Sequence, residues 1–205
     1  MSVRSEMEEW AREVLADPRT AVLDTETTGL KGYVCEVAVL AADGTFLLDT
    51  LINPGVPVEA GAQRIHGLGE KELAGARGFG EVWPELEKII SERSIVVYNA
   101  PFDAGVVRRE LGRLGISIPS LPWIDAMVPY SDWLNGEYDA RYARLNGGHK
   151  AGEDCRAVFE RLREMACGLS RRSSWPASSL PRRRAGARSR GGCSDGLAML
   201  RALPG

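Results

Sequence analysis

The chain has 205 residues, 44% of them hydrophobic and 26% charged, enough to bury the core of one ordinary domain and carry an appendage. It contains no run of eighteen apolar residues, and its acidic start lacks the basic-then-apolar layout of a signal peptide. A membrane span and a secretory leader are therefore not expected, and a cytoplasmic location with no membrane partner is. The net charge of −2 hides an asymmetry: residues 169–205 hold eight Arg and one Asp, leaving 18 basic and 27 acidic side chains in the rest. An acidic body argues against broad duplex binding through a basic face and suits a protein that gathers carboxylates around cations. Cys35, Cys155, Cys167 and Cys193 are far apart and form no CxxC pair, so free thiols are expected rather than zinc or disulfides.

Taken in chain order, residues 6–15 have helical spacing, with Trp10 and Val14 on one side and a stop near Asp17-Pro18. Residues 20–24 form a short apolar run that ends in Asp24, the pattern of a buried strand. Residues 33–40 and 45–52 predict two more strands, joined at Asp43-Gly44 as a hairpin, and Asn53-Pro54-Gly55 predicts a turn. Val82, Leu86, Ile89 and Ile90 give a helix over 79–90. A fourth strand follows at 94–98, then a helix over 101–114 with Pro in its first turn. Trp123-Ile124 predicts a brief fifth strand and 126–134 a helix. Residues 138–148 read as a polar, Gly-rich loop, and Val158, Leu162 and Met165 mark a closing helix over 151–167. The order βββαβαβαα predicts an antiparallel meander continued by helix-linked parallel strands, an α/β layered sheet. The expected organisation is an N-terminal helical extension over 1–19, a folded body over 20–168, and a basic tail over 169–205. Ser, Arg, Pro and Gly dominate that tail, so it is expected to be mostly disordered.

Three segments carry chemistry. In Asp24-Thr25-Glu26-Thr27-Thr28-Gly29, residues i and i+2 of a strand share a face, so Asp24 and Glu26 stand side by side at its end. They repel each other unless a cation lies between them; the plain alternative is a polar strand end in solvent. A lone charge after a wholly apolar strand is expensive to hold, which favours the cation. In Tyr98-Asn99-Ala100-Pro101-Phe102-Asp103, Asp103 falls in the first turn of a helix, where a carboxylate also simply complements the helix dipole. In His149-Lys150-Ala151-Gly152-Glu153-Asp154, a loop histidine and a carboxylate five residues on can face one cleft. Together, Asp24, Glu26, Asp103, Asp154 and His149 meet the needs of metal-assisted phosphodiester cleavage. Carboxylates suit hard cations such as Mg²⁺ or Mn²⁺, and a histidine can accept a water proton near neutrality.

These motifs resemble those of the DEDDh exonucleases, the family that includes the proofreading epsilon subunit of bacterial replicative polymerase. The segment from Leu23 to Gly29 resembles the first motif, Tyr98 to Asp103 the second, and His149 with Asp154 the third. Ile65-His66-Gly67-Leu68 resembles a further family segment. The resemblance implies a ribonuclease H-like fold with a five-stranded mixed sheet, three strands antiparallel and two parallel. It implies two Mg²⁺ or Mn²⁺ ions held by Asp24, Glu26, Asp103 and Asp154, with Asp24 bridging and Asp103 acting partly through water. His149 would be the general base. The backbone around Glu26 and Thr27 would receive the terminal 3′-hydroxyl, and Leu30 would wedge against the last base. His66, Asn99 and Phe102 complete the implied substrate contacts, although His66 reads equally as a packing residue and Phe102 as core. The implied reaction releases nucleoside 5′-monophosphates from the 3′ end of single-stranded or frayed nucleic acid, DNA first. An RNA-trimming or oligoribonucleotide-degrading exonuclease, and a proofreading subunit with a DNA polymerase subunit as partner, share the same chemistry. A non-catalytic nucleic-acid-binding module is the outlying alternative. The basic tail matches nothing in the family.

Overall fold

The computed structural model describes residues 1–139 and 141–168. Its elements are α1 (Val3–Ala16), β1 (Thr20–Thr27), β2 (Val34–Ala41), β3 (Phe46–Asn53), α2 (Ala60–His66), α3 (Glu70–Leu73) and β4 (Arg77–Gly78). There follow α4 (Phe79–Ser91), β5 (Ser94–Val97), α5 (Ala100–Leu114), β6 (Trp123–Asp125), α6 (Met127–Asn135) and α7 (Ala151–Ala166). The sheet order is β4-β3-β2-β1-β5-β6. β1, β2 and β3 are antiparallel, and β5 and β6 continue from β1 in parallel. The five strands expected are all present. A two-residue sixth, β4, pairs in parallel with the end of β3 through Ile52 and Asn53. α2 and α3 were not anticipated, because neither carries an apolar stripe long enough to read as helical.

The central strand β1 is buried on both faces, and its period of two sorts the core. Ala21 and Leu23 belong to the layer filled by Val82, Leu86 and Ile90 of α4 and by Val106 and Leu111 of α5. Val22 belongs to the opposite layer, with Cys155, Val158 and Leu162 of α7. Residues 22, 24 and 26 therefore face α7. That helix can come close because Gly152 has no side chain: a Cβ there would lie 2.8 Å from Asp49 Oδ2 on β3. α1 packs on α6 and α7 rather than on the sheet. Ala11, Tyr130, Trp133 and Met165 form this third cluster, and Trp133 Nε1 donates to Glu8 Oε1 at 3.2 Å. Cys35 and Cys155 are buried free thiols and Cys167 an exposed one. Among the described residues no helix is long and apolar enough to cross a membrane. The expectations for residues 169–205, Cys193 included, lie outside the described residues.

Candidate active site

Asp24 and Glu26 project from the end of β1 towards α7, and Asp154 projects back from the first turns of that helix. One carboxylate oxygen from each lies within 4.8 Å of the others. The electrostatics register the crowding. Burial pushes the Asp24 carboxyl well above the usual range, and the charges of Asp103, Asp154, Glu26 and Glu36 add to it. Burial, then Asp154, raises Glu26 to about 7. Burial also raises Asp154, against the opposing hydrogen bond from the His149 backbone. Carboxylates crowded in this way are suited to a cation between them, and an all-oxygen donor set fits a hard divalent ion better than zinc.

Asp103 sits apart from this trio. It opens α5 and is only 3% exposed. The hydroxyl of Thr25, on the other face of β1, donates to its Oδ1 at 2.9 Å. Burial raises its carboxyl to about 7, with the Thr25 bond opposing. It thus lies near enough to Asp24 to act electrostatically without sharing the three-carboxylate cluster. Asn99 precedes α5, and its carbonyl accepts from the Phe102 and Asp103 N–H groups. Phe102 packs partly against the α4–α5 core layer. The end of β6 fixes this corner: the Asp125 carboxylate accepts from Ala100 N–H at 2.8 Å and from Met127 N–H at 2.8 Å. Asp125 thereby anchors the starts of α5 and α6. Its signal in the sequence is an Asp standing between a strand and a helix.

His149 is exposed and stands in a left-handed backbone conformation (φ 57°) just before α7. Its N–H donates to Asp154 Oδ1 at 3.3 Å, so the base candidate and the carboxylate are joined through the backbone while the imidazole is left free to meet solvent or substrate. The preceding turn closes tightly over Asp154. A Cβ on Gly147 would fall 1.7 Å from Asp154 Oδ1.

Two carboxylates near the site were not singled out in the sequence. Glu36 lies opposite Glu26 in the β1–β2 register. It accepts from the Ala151 N–H at 3.0 Å, which ties the start of α7 to the sheet. Glu59 stands at the approach to α2, and its carboxylate lies where a Cβ on Gly29 would stand, 2.3 Å away. Leu30, next to Gly29, is 85% exposed.

His66 is buried and fully engaged with backbone groups. Its Nδ1 accepts from Leu68 N–H at 3.1 Å, so the proton resides on Nε2, which faces Thr27 O at 3.1 Å and donates to it. The ring bolts α2 to the end of β1, beside Glu26. The His66→Ala variant is expected to lose about 2–4 kcal/mol in urea unfolding, from two orphaned backbone groups and a cavity. Burial lowers the His66 pKa from 6.5. The neutral ring is the folded form, so this stabilisation is complete above about pH 6.5 and is lost as the pH falls below it. Unfolding midpoints for wild type and variant should converge on acidification.

Carboxylate oxygens from the end of β1 and the start of α7, beside an exposed histidine, form an all-oxygen cluster suited to hard cations. The sequence profile of the exonuclease family RNase_T matches residues 21–161, and the chain belongs to that family. Its motifs resemble those of the DEDDh, DnaQ-like group. The DNA polymerase III subunit epsilon-like protein of Rhodobacter capsulatus is 37% identical over 98 residues, 43% of this chain and 14% of that protein. The DNA polymerase III subunit epsilon of Pasteurella multocida is 30% identical over 128 residues, 57% of this chain and 49% of that protein. The chain thus spans half or less of the length of such relatives. Among solved structures, Exonuclease X in complex with 5′ overhanging duplex DNA has a TM-score of 0.51 at 23% identity, covering 74% of this chain and 94% of that one. The nuclease domain of 3′hExo, a DEDDh family member, bound to rAMP, has a TM-score of 0.54 at 12% identity, covering 75% and 95%. At these identities the likeness speaks for the fold, which is ribonuclease H-like.

Proposed function

We propose that this exonuclease works in the 3′→5′ direction, releasing nucleoside 5′-monophosphates from the 3′ end of single-stranded or frayed DNA. The observation that carries the reading is the cluster of Asp24, Glu26 and Asp154 within 4.8 Å, with the exposed His149 bonded to Asp154 through its backbone. Asp24, Glu26 and Asp154, with Asp103 beside them, would hold two Mg²⁺ or Mn²⁺ ions. Bound divalent cations supply Lewis acidity towards the phosphoryl oxygens and acidify water. His149 takes the proton of the attacking water, its exposed ring having room to carry it to solvent. The backbone around Thr27 receives the terminal 3′-hydroxyl, Leu30 wedges against the last base, and Asn99 and Phe102 border the other side. His66 supports the Thr27 carbonyl from beneath and is better read as a positioning residue than as a substrate contact.

The test is a digestion panel of 3′-labelled single-stranded DNA, blunt duplex DNA and short RNA with Mg²⁺, with Mn²⁺ and with EDTA. Single-stranded DNA should be shortened stepwise with either metal and remain intact in EDTA. The His149→Ala variant should slow that reaction by about 10²–10⁴-fold. Cleavage within the strand, metal-independent cleavage or an undiminished variant would overturn the reading. Preference for RNA would move the substrate to ribonucleic acid and keep the chemistry. Association with a DNA polymerase subunit rests on the epsilon relatives and is tested by co-purification with one.

A further inference from the structure

Residues 141–146 form a strap that crosses from the end of α6 towards α7, and their exposure alternates. Tyr142, Arg144 and Asn146 are exposed, whereas Ala143 and Leu145 are partly buried. The inward positions are tied down. Tyr98 Oη donates to the Ala143 carbonyl at 2.7 Å, and the Ala143 N–H donates to Ser131 Oγ at 2.9 Å. Leu145 packs against the layer that joins α7 to the sheet. With Ala143 and Leu145 held inward, Tyr142, Arg144 and Asn146 are left facing out.

That face has the wrong composition for inert surface. Tyr142 is 68% exposed, with Arg141 and Arg144 exposed on either side of the Tyr142–Ala143 pair. Among the described residues neither arginine forms a salt bridge. Glu137 and Asp139 lie before the strap, and residues 141–146 themselves carry only positive charge in an otherwise acidic body. The strap also ends on the site. Gly147 abuts the Asp154 carboxylate, and the three residues from Arg144 to Gly147 span at most about 11 Å of chain.

We propose that the strap is the platform for the single strand leading into the site, with Tyr142 stacked on a base and Arg141 and Arg144 on phosphates upstream of the scissile bond. Stacking on an exposed aromatic ring accepts any base, and guanidinium groups follow the backbone without reading sequence. A strap pinned at Ala143 offers both groups in a fixed orientation, so little ordering is left to be done on binding. The proposal rests on the reading that the site takes a nucleic-acid 3′ end.

The experiment measures fluorescence anisotropy of a labelled single-stranded oligothymidylate in EDTA, so that binding is read without cleavage. Wild type, Tyr142→Ala, Tyr142→Phe and the Arg141→Ala/Arg144→Ala double variant are compared, each with a thermal melt to confirm folding. The Tyr142→Ala variant should bind about tenfold more weakly, the order of one base stack removed, and Tyr142→Phe close to wild type. The double variant should show a salt dependence shallower by about 0.7 in log K against log salt for each phosphate no longer neutralised. Wild-type affinity and slope in both alanine variants would overturn the proposal. If the wild type shortens the strand with Mn²⁺ in that case, the proposed function stands and only the strap is misread. A wild type that neither binds nor shortens the strand would remove both.

Discussion

Asp24→Asn is expected to lower nuclease activity by at least about 10³-fold while making the metal-free protein harder to unfold. Both outcomes come from the same geometry. Asp24 shares one cluster with Glu26 on its own strand and Asp154 across from it, and burial, with Asp103, Asp154 and Glu26 adding to it, holds its proton well above the usual range. Removing the charge deletes a central ligand, worth several kcal/mol of transition-state stabilisation, and relieves repulsion in the folded state. Each kcal/mol relieved should raise the melting temperature by about 2–4 °C in EDTA. The pH dependence follows with its sign. Glu26 and Asp103, both raised to about 7, hold protons in the folded metal-free protein that the unfolded chain releases near pH 4. Stability in EDTA therefore falls as the pH rises from about 4 to 7. A cation must displace those protons, so Mn²⁺ affinity should climb over the same window, with proton release visible by titration calorimetry in buffers of different ionisation enthalpy. An Asn variant that keeps activity, or an affinity flat with pH, would contradict the assignment.

Gly147→Ala should also disable the enzyme, although it alters no charge and no candidate ligand. A Cβ at that position would lie 1.7 Å from Asp154 Oδ1, far inside any real contact, so the strap or the Asp154 carboxylate must move. A displacement of about 1 Å in a positioned catalytic group is enough for a loss on the order of 10²-fold. The decisive comparison is activity against Mn²⁺ affinity. Both should drop together, with the melting temperature in EDTA little changed, because the residue is on the surface side of α7. Unaltered Mn²⁺ affinity would mean that the turn yields and Asp154 does not.

Much of this site was legible because its elements are local. The apolar run before Asp24, with Glu26 two residues on, placed both carboxylates on one face through the period of a strand, and the structure puts them there. His149 and Asp154 were paired by a spacing of five residues, and their backbone bond joins them. The closing helix and the β1–β2–β3 meander were legible from apolar periodicity and the Asp43-Gly44 turn. The helices α2 and α3 were not, because seven and four residues leave no periodic stripe to detect.

Contacts between distant parts of the chain divide the two kinds of knowledge most clearly. The amino-acid sequence by itself determined the fold class and the exonuclease family, and it marked out Asp24, Glu26 and Asp154, which the structure brings together, since these depend on motifs and on strand and helix periods. Only the tertiary structure decided that Asp103 stands on the Thr25 side of β1, that His66 bolts Thr27 rather than facing outward, and that Glu36 holds the start of α7. Those partners are 78, 39 and 115 residues apart. No local pattern encodes such pairings, because they arise when the two faces of β1 are covered by different helices and each buried polar group must find its partner there.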